Sequence, residues 1–480
     1  MLNKKQKKQA SQAVQGGLKP IPAAPVPPHP FMAPNNYSNM HCDAYQTDAY
    51  TCMGPVGTFG TGNINAELYN LNHNPEICPS VTFDKRGRLI TVGIWVENET
   101  TQHELLLMDP ETLDIITSCP LPSGSGGSSS FGGGGYFYLD RDLRAVVPLA
   151  DGTIGVYRLD ETCTPPRFEQ VLAYYPKLDP SSSIQSAMPD WSGRLWFVTD
   201  DGHVGVFDVD TTTNPHVMQL KNREVVEHIA NSFAVDETGG VFIVSDHAMY
   251  RFDYDPSAKY PISRTWRCTY DNGTRTKPGQ KSRGSGTTPT LLNIGDFQFV
   301  AITDNAAPQM HVVVYRREKD FNGTREVFQQ AVFPAKKSDT ENSLIGVAGT
   351  FIVENNYGYL APFGSAQLYK TTPGMALINF SNSPKVIPWA NSTLSVPSVV
   401  SKVSIPDGLV YTYSMTFENK TAKWYFTVVD FYTGTVYSQI HTGDGVDFDN
   451  HYSAVALHPT LGNAYVPVNG GIVKISNNAG

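Results

Sequence analysis

One pattern restricts the fold of this chain more than any other: a small polar start, an apolar run, a tight turn and a second apolar run, repeated along its length. Copies begin at Cys78, Ser128, Ser183, His228, Gly286, Asn342, Ser398 and His451, about 45 to 58 residues apart. That interval suits a four-stranded propeller blade with generous loops. The clearest copies are Ser80-Val-Thr-Phe-Asp-Lys-Arg-Gly-Arg-Leu-Ile-Thr-Val, Ser186-Ala-Met-Pro-Asp-Trp-Ser-Gly-Arg-Leu-Trp-Phe-Val and Ser232-Phe-Ala-Val-Asp-Glu-Thr-Gly-Gly-Val-Phe-Ile-Val. Asp tolerates a left-handed backbone and Gly supplies positive φ where the hairpin reverses. The pattern predicts an all-β fold, a single β-propeller of eight blades, or seven if one start is a loop.

The last copy, from His451, holds only three strands before the sequence stops at Gly480. An open edge leaves backbone groups unpaired, so a strand from the N-terminal region, around Gly62 to Leu71, is expected to complete it. The division that follows is a disordered Pro-rich arm over 1–35, a segment over 36–77 that caps the channel and closes the ring, and a propeller over 78–480. The arm carries Lys4 to Lys8 and the run Pro20-Ile-Pro-Ala-Ala-Pro-Val-Pro-Pro28, where Pro has no backbone donor.

Composition limits the function classes. A chain of 480 residues allows about three domains on length alone, which the repeat folds into one body. Only 17% of residues are charged and the formal net charge is −9, which argues against nucleic acid as a partner, since phosphate binding needs clustered Lys and Arg. No run reaches the ~18 to 20 apolar residues of a membrane span. The basic start does not lead into the apolar core of a signal peptide. Six cysteines, Cys42, Cys52, Cys78, Cys119, Cys163 and Cys268, lack zinc spacing and are compatible with buried thiols or with up to three disulfides. Sequons at Asn36, Asn98, Asn272, Asn322, Asn379, Asn391 and Asn419 would mark exposed loops of a secreted glycoprotein, and an extracytoplasmic or secreted location is the expectation they carry.

The chain resembles the eight-bladed quinoprotein-alcohol-dehydrogenase-like propellers. The strings His41-Cys-Asp-Ala-Tyr-Gln-Thr-Asp-Ala-Tyr50, Gly284-Ser-Gly-Thr-Thr-Pro-Thr290, Ile302-Thr-Asp-Asn305, Glu341-Asn-Ser-Leu-Ile-Gly346 and Val353-Glu-Asn-Asn-Tyr-Gly-Tyr359 are similar to those of an uncharacterised family of bacterial propeller proteins. The resemblance implies the fold and brings no activity. Pyrroloquinoline quinone is not implied, because adjacent cysteines and the repeated tryptophan docking motif are absent from the sequence.

In a propeller, residues at the starts of inner strands converge on the axis. Those positions hold Asn beside carboxylates, whose oxygens suit Ca²⁺ rather than zinc. Glu341, Asn342, Asn305, Asn231 and Glu354 form the candidate calcium set, which resembles in residue type the cluster of propeller lactonases. Asn231, Thr287, Asn305, Asn342 and Asn355 are the candidate ligand-binding residues, and His228 and His451 the candidate general bases. Such Asn, Ser and Thr side chains also commonly bond neighbouring backbone. His41, Asp43 and Asp48, with Tyr45 and Tyr50, either cap one mouth of the channel or anchor the arm by packing. Gly132 to Gly135 precedes a strand rather than a helix, so phosphate cradling is not expected, and no GxSxG elbow is present. The readings are therefore a ligand-binding or sensing propeller with a polar channel site, a Ca-dependent hydrolase or lactonase, and a structural or interaction protein. A small molecule or a protein is the expected partner.

Overall fold

The computed structural model describes residues 18–57, 64–69, 71, 77–125, 133–222, 225–359, 371–381 and 386–477. Ser128, Gly132, the Lys4 to Lys8 run and Gly62 lie outside the described residues. Eight antiparallel sheets follow one another: blade 1 (81–125), blade 2 (138–174), blade 3 (184–219), blade 4 (234–269), blade 5 (290–331), blade 6 (345–391), blade 7 (402–444) and blade 8 (456–477). The molecule is an all-β, eight-bladed propeller, and among the described residues one 3₁₀ turn, Val446–Phe448, is its only helical element. Blade 2 begins at Tyr138, well after Ser128, because Ser- and Gly-rich sequence precedes it.

Local chemistry sets the blades. In blades 1 to 4 an aspartate builds the first hairpin, its Oδ1 accepting the N–H groups two and four residues on. The pairs are Arg86 and Arg88 for Asp84, Asp142 and Arg144 for Asp140, Ser192 and Arg194 for Asp190, and Thr238 and Gly240 for Asp236, all at 2.8–3.1 Å. In three of them the arginine Nε returns to Oδ2 at 2.7–2.9 Å. Position three of the turn is left-handed, with Gly87 at φ 79° and Gly193 at φ 85°, where a Cβ would be strained. Apolar faces of adjacent blades then pack on one another. One cluster runs from Tyr138 in blade 2 through Trp196 to Phe252 in blade 4.

Blade 8 is completed by Ile64–Tyr69, which pairs antiparallel with Gly471–Asn477 from Ile64 opposite Asn477 to Tyr69 opposite Ile472. The preceding segment fills the axis. Backbone carbonyls of Ser38, Ala44, Tyr45, Thr47, Asp48 and Tyr50 accept N–H groups of Leu139, Val235, Leu291, Gly346, Val403 and Ile405 at 2.7–3.1 Å, and the carbonyl of Tyr37 accepts the Thr82 hydroxyl. Gln46 reaches Met188 Sδ, and the Tyr50 hydroxyl bonds the backbone of Leu457. Residues 37–50 thus touch every blade and form a plug, with Ala49–Tyr50 parallel to the inner strand Lys402–Ser404.

Residues 18–35, read from composition as part of a free arm, are packed. Ile21 N–H donates to the Ile405 carbonyl at 2.8 Å, the Tyr432 hydroxyl donates to the Pro20 carbonyl at 2.7 Å, and the His29 ring lies 4.1 Å from that of Trp191. Ile21, His29, Met32 and Ala33 are buried. Proline removes donors that a sheet needs, and an extended strap lying on a finished surface needs few of them. All six cysteines are free thiols. Asn36 is buried with its amide bonded to Thr51 Oγ1 at 2.7 Å, which closes that sequon to a glycan.

Candidate functional site

Beside the plug lies a cup walled in part by its residues Met40 and His41. This cavity of about 430 Å³ is lined by Asn231, Ser285, Glu341 and Val400, just ahead of inner strands, and by Gln185 within one, with His41 and Tyr136 also in its wall. The loop entering blade 5 adds Lys281 and Arg283. Its volume falls within the range of small-molecule pockets.

One pair of opposite charges, Glu341 and Lys281, stands in the cup. Burial pushes the Glu341 carboxyl up and the Lys281 ammonium down, and each opposes the other's shift through their mutual attraction. Glu341 also accepts a hydrogen bond from the Lys281 backbone. Lys281 Nζ lies 4.6 Å from the Tyr452 ring centroid, a cation–π distance. Burial first, then the nearby Glu341 charge, pushes the Tyr136 hydroxyl up, so it stays protonated.

The sequence-predicted residues divide between this cup and the scaffold. Glu341 and Asn231 line it, and Asn231 Nδ2 donates to the Ser285 carbonyl at 3.3 Å. His228 stands exposed in its wall, with Nδ1 3.0 Å from the Asp200 carbonyl and its N–H donating to Asp246 Oδ1 at 2.9 Å. His451 is buried, and desolvation, then the Lys281 charge, holds its pKa well below the usual imidazole range. Asn342 Nδ2 donates to Glu354 Oε2 at 2.8 Å and to the Val399 carbonyl at 2.6 Å. Burial pushes Glu354 up to about 8. Thr287 Oγ1 lies 2.9 Å from Ser285 Oγ and accepts the Thr303 N–H at 3.1 Å. Asn355 holds its own loop, donating to the Lys337 carbonyl at 3.0 Å and accepting the Asp339 N–H at 3.3 Å. Asn305 donates to the carbonyls of Asn272 and Arg275 and lines a separate, smaller pocket.

The five oxygens proposed for calcium are therefore split between the cup, a neighbouring pocket and an Asn–Glu contact. Among the described residues no group of three or more His, Cys, Asp or Glu is placed to hold a metal. Several oxygens do lack a partner: both of Asp339, Oε1 of Glu341, and Oδ1 of Asn305 and Asn342.

Inner-strand reasoning missed Lys281, Arg283 and Tyr136, which come from loops ahead of strands. The basic pair Lys281-Ser-Arg283 just before an inner strand was the available signal. His41 was visible only as a member of a capping string.

The geometry defines a plugged, eight-bladed propeller with a cup beside the plug. No family model matches the chain. A curated relative from Archaeoglobus fulgidus, described as an uncharacterized protein, is 27% identical over 309 residues, 56% of this chain and 56% of the relative, so the chain spans about half the length of the relative it matches. Among solved structures, Sqt1 from Chaetomium thermophilum is 11% identical, with a TM-score of 0.47 over 88% of this chain and 98% of its own. A chain of the mitotic checkpoint complex is 12% identical, with a TM-score of 0.34 over 70% of this chain and 86% of its own. The blade count rests on the strand pairing, not on these likenesses.

Proposed function

We propose that the protein is a ligand-binding propeller whose site is the cup beside the plug. Its ligand is a small organic molecule with an apolar body and an anionic or zwitterionic end. The observation that carries this reading is the Glu341–Lys281 pair set in a 430 Å³ cavity whose walls also include Ile229, Val244 and Val400. A charged pair held in a partly desolvated, concave site offers both signs of charge to a ligand. The likeness to quinoprotein-type propellers supplies the scaffold for this reading and no cofactor.

The test is a thermal-shift screen of small organic acids and amino acids, followed by calorimetry. A true ligand at a hundredfold excess over Kd adds about 2.7 kcal/mol to stability. Lys281→Met and Glu341→Gln are expected to weaken binding of any hit at least tenfold. Hits that bind both variants as tightly as the native chain place the ligand elsewhere and overturn the reading.

A second reading, a calcium-dependent hydrolase or lactonase, is supported by the partnerless oxygens of Asp339 and Glu341. It expects added CaCl₂ to raise the unfolding midpoint in the native chain and not in Glu341→Gln. An unchanged midpoint removes it.

A further inference from the structure

The plug buries a histidine whose chemistry the fold does not use up. His41 is 2% exposed, and its Nδ1 lies 3.0 and 3.1 Å from the two carboxylate oxygens of Asp48. Asp48 is fully buried and ion-paired with Lys402, whose ammonium also donates to the Met40 carbonyl. With the Asp48 carboxylate, an acceptor, against it, Nδ1 is the donor nitrogen of the ring, and Nε2 is left as the acceptor.

Among the described residues Nε2 has no hydrogen-bond partner, although it is buried and His41 forms part of the cup wall. A buried polar atom left unsatisfied has lost its contact with water and gained nothing in exchange. The surrounding backbone is itself held in rare conformations: Cys42, Gln46 and Asp48 have φ of 76°, 59° and 56°. The Asp48 N–H donates to the His41 carbonyl at 3.1 Å and closes this turn. Strain of this kind persists where surrounding structure fixes it and clusters at working sites.

We infer that the Asp48–His41 pair is a general base facing the cup, and that the cup hydrolyses small carboxylic esters or lactones without a metal. This rests on the reading of the cup as a ligand site. Among the described residues no serine hydroxyl bonds His41 Nε2, so water is the nucleophile. His41 Nε2 takes a proton from water as its oxygen bonds to the carbonyl carbon, and the carbonyl π pair moves onto oxygen. The Lys281 ammonium supplies positive charge for that oxyanion. On collapse the ester C–O bond breaks, and the leaving oxygen takes the proton from Nε2. The products are a carboxylic acid and an alcohol, with no oxidant or reductant consumed.

The experiment uses the full chain with 4-nitrophenyl acetate as probe. Saturable release of 4-nitrophenol above buffer is expected, with His41→Ala lowering kcat about 10²-fold or more and added imidazole restoring part of the loss. Asp48→Asn is expected to lower kcat as well, whereas His216→Gln, on an outer strand, leaves it unchanged. Hydrolysis that does not saturate, or that persists in His41→Ala, overturns the inference. Should His41→Ala not fold, diethyl pyrocarbonate on the native chain decides: carbethoxylation mapped to His41 with loss of turnover supports it, and turnover that survives His41 modification overturns it. A chain that gains stability from screened ligands yet hydrolyses nothing loses this inference alone, whereas hits that ignore Lys281 and Glu341 remove the ligand site beneath it.

Discussion

Ile64 lies opposite Asn477 in an antiparallel pair that joins the two ends of the propeller. Blade 8 has three strands from the C-terminal sequence, and its fourth comes from ahead of blade 1. Ring closure is therefore a long-range pairing, and the same N-terminal region carries the plug that touches all eight blades.

A chain beginning at residue 78 loses both the closing strand and the plug. It exposes the edge of Gly471–Asn477, a template for pairing with other chains. The expected outcome is aggregation in size-exclusion chromatography and loss of the cooperative thermal transition. A midpoint equal to that of the full chain would show that neither contact contributes to stability.

Lys402 and Asp48 are both fully buried and paired. Removing one partner of a buried ion pair typically costs about 3–5 kcal/mol, because the other charge is left without compensation. Lys402→Met is expected to lower unfolding free energy in urea by that amount, and the double variant with Asp48→Asn to recover part of it. A loss below about 1 kcal/mol would mean that His41 and the neighbouring backbone suffice to hold Asp48.

Gly286 stands just ahead of the inner strand of blade 5, against the backbone that leads into blade 6. An added Cβ would come within 2.2 Å of the Thr340 carbonyl oxygen and 2.7 Å of Glu341 Cα. Backbone cannot rotate away, so Gly286→Ala pushes two blades apart beside the cup. Overpacking of this kind costs typically 1–3 kcal/mol. Chemical denaturation measures the loss, and calorimetry with a screened ligand is expected to show weaker binding than in the native chain.

Blades 1, 3 and 4 were the most legible because two local signals coincide at each of them. Short continuous apolar runs such as Leu195–Thr199 and Val241–Val244 mark strands, and an Asp at Asp84, Asp190 or Asp236 followed by Gly marks the hairpin. The closing strand was legible from a deficit, since three strands after His451 require a fourth. The strap was not, because the absence of donors in Pro20 to Pro28 excludes a sheet without excluding a surface-bound extended segment. At the site, Glu341 and Asn231 were found by assuming that inner-strand starts meet on the axis. That assumption cannot separate residues facing the cup from those, like Asn342 and Asn355, whose amides are consumed by neighbouring carbonyls and carboxylates. Nor can it find Lys281, which enters from a loop, or foresee that His41 and Asp48 meet, which depends on the left-handed turn between them.

Glu354 ties stability to pH in the direction opposite to an ordinary ion-paired carboxylate. It is buried, and burial dominates its shift up to about 8, opposed by the Ser401 hydroxyl and the Asn342 amide; of the charges facing it, Asp48 raises its pKa and Lys402 lowers it. In the unfolded chain it titrates at its usual value near 4.5. Between these two values the native state binds the proton that the unfolded state has released, so stability falls as pH rises through that window. Its contribution is fully present below about 4.5 and is lost by about 8. Glu354→Gln keeps a carbonyl oxygen for Asn342 and does not titrate, so the difference between the two chains isolates this one group from all other carboxylates. Urea unfolding at steps from pH 5 to 8.5 is expected to show the native chain losing stability relative to the variant by at least about 1 kcal/mol. A flat difference would place the Glu354 carboxylate in contact with water or a cation, and a rising one would mean that Lys402, rather than burial, controls its charge.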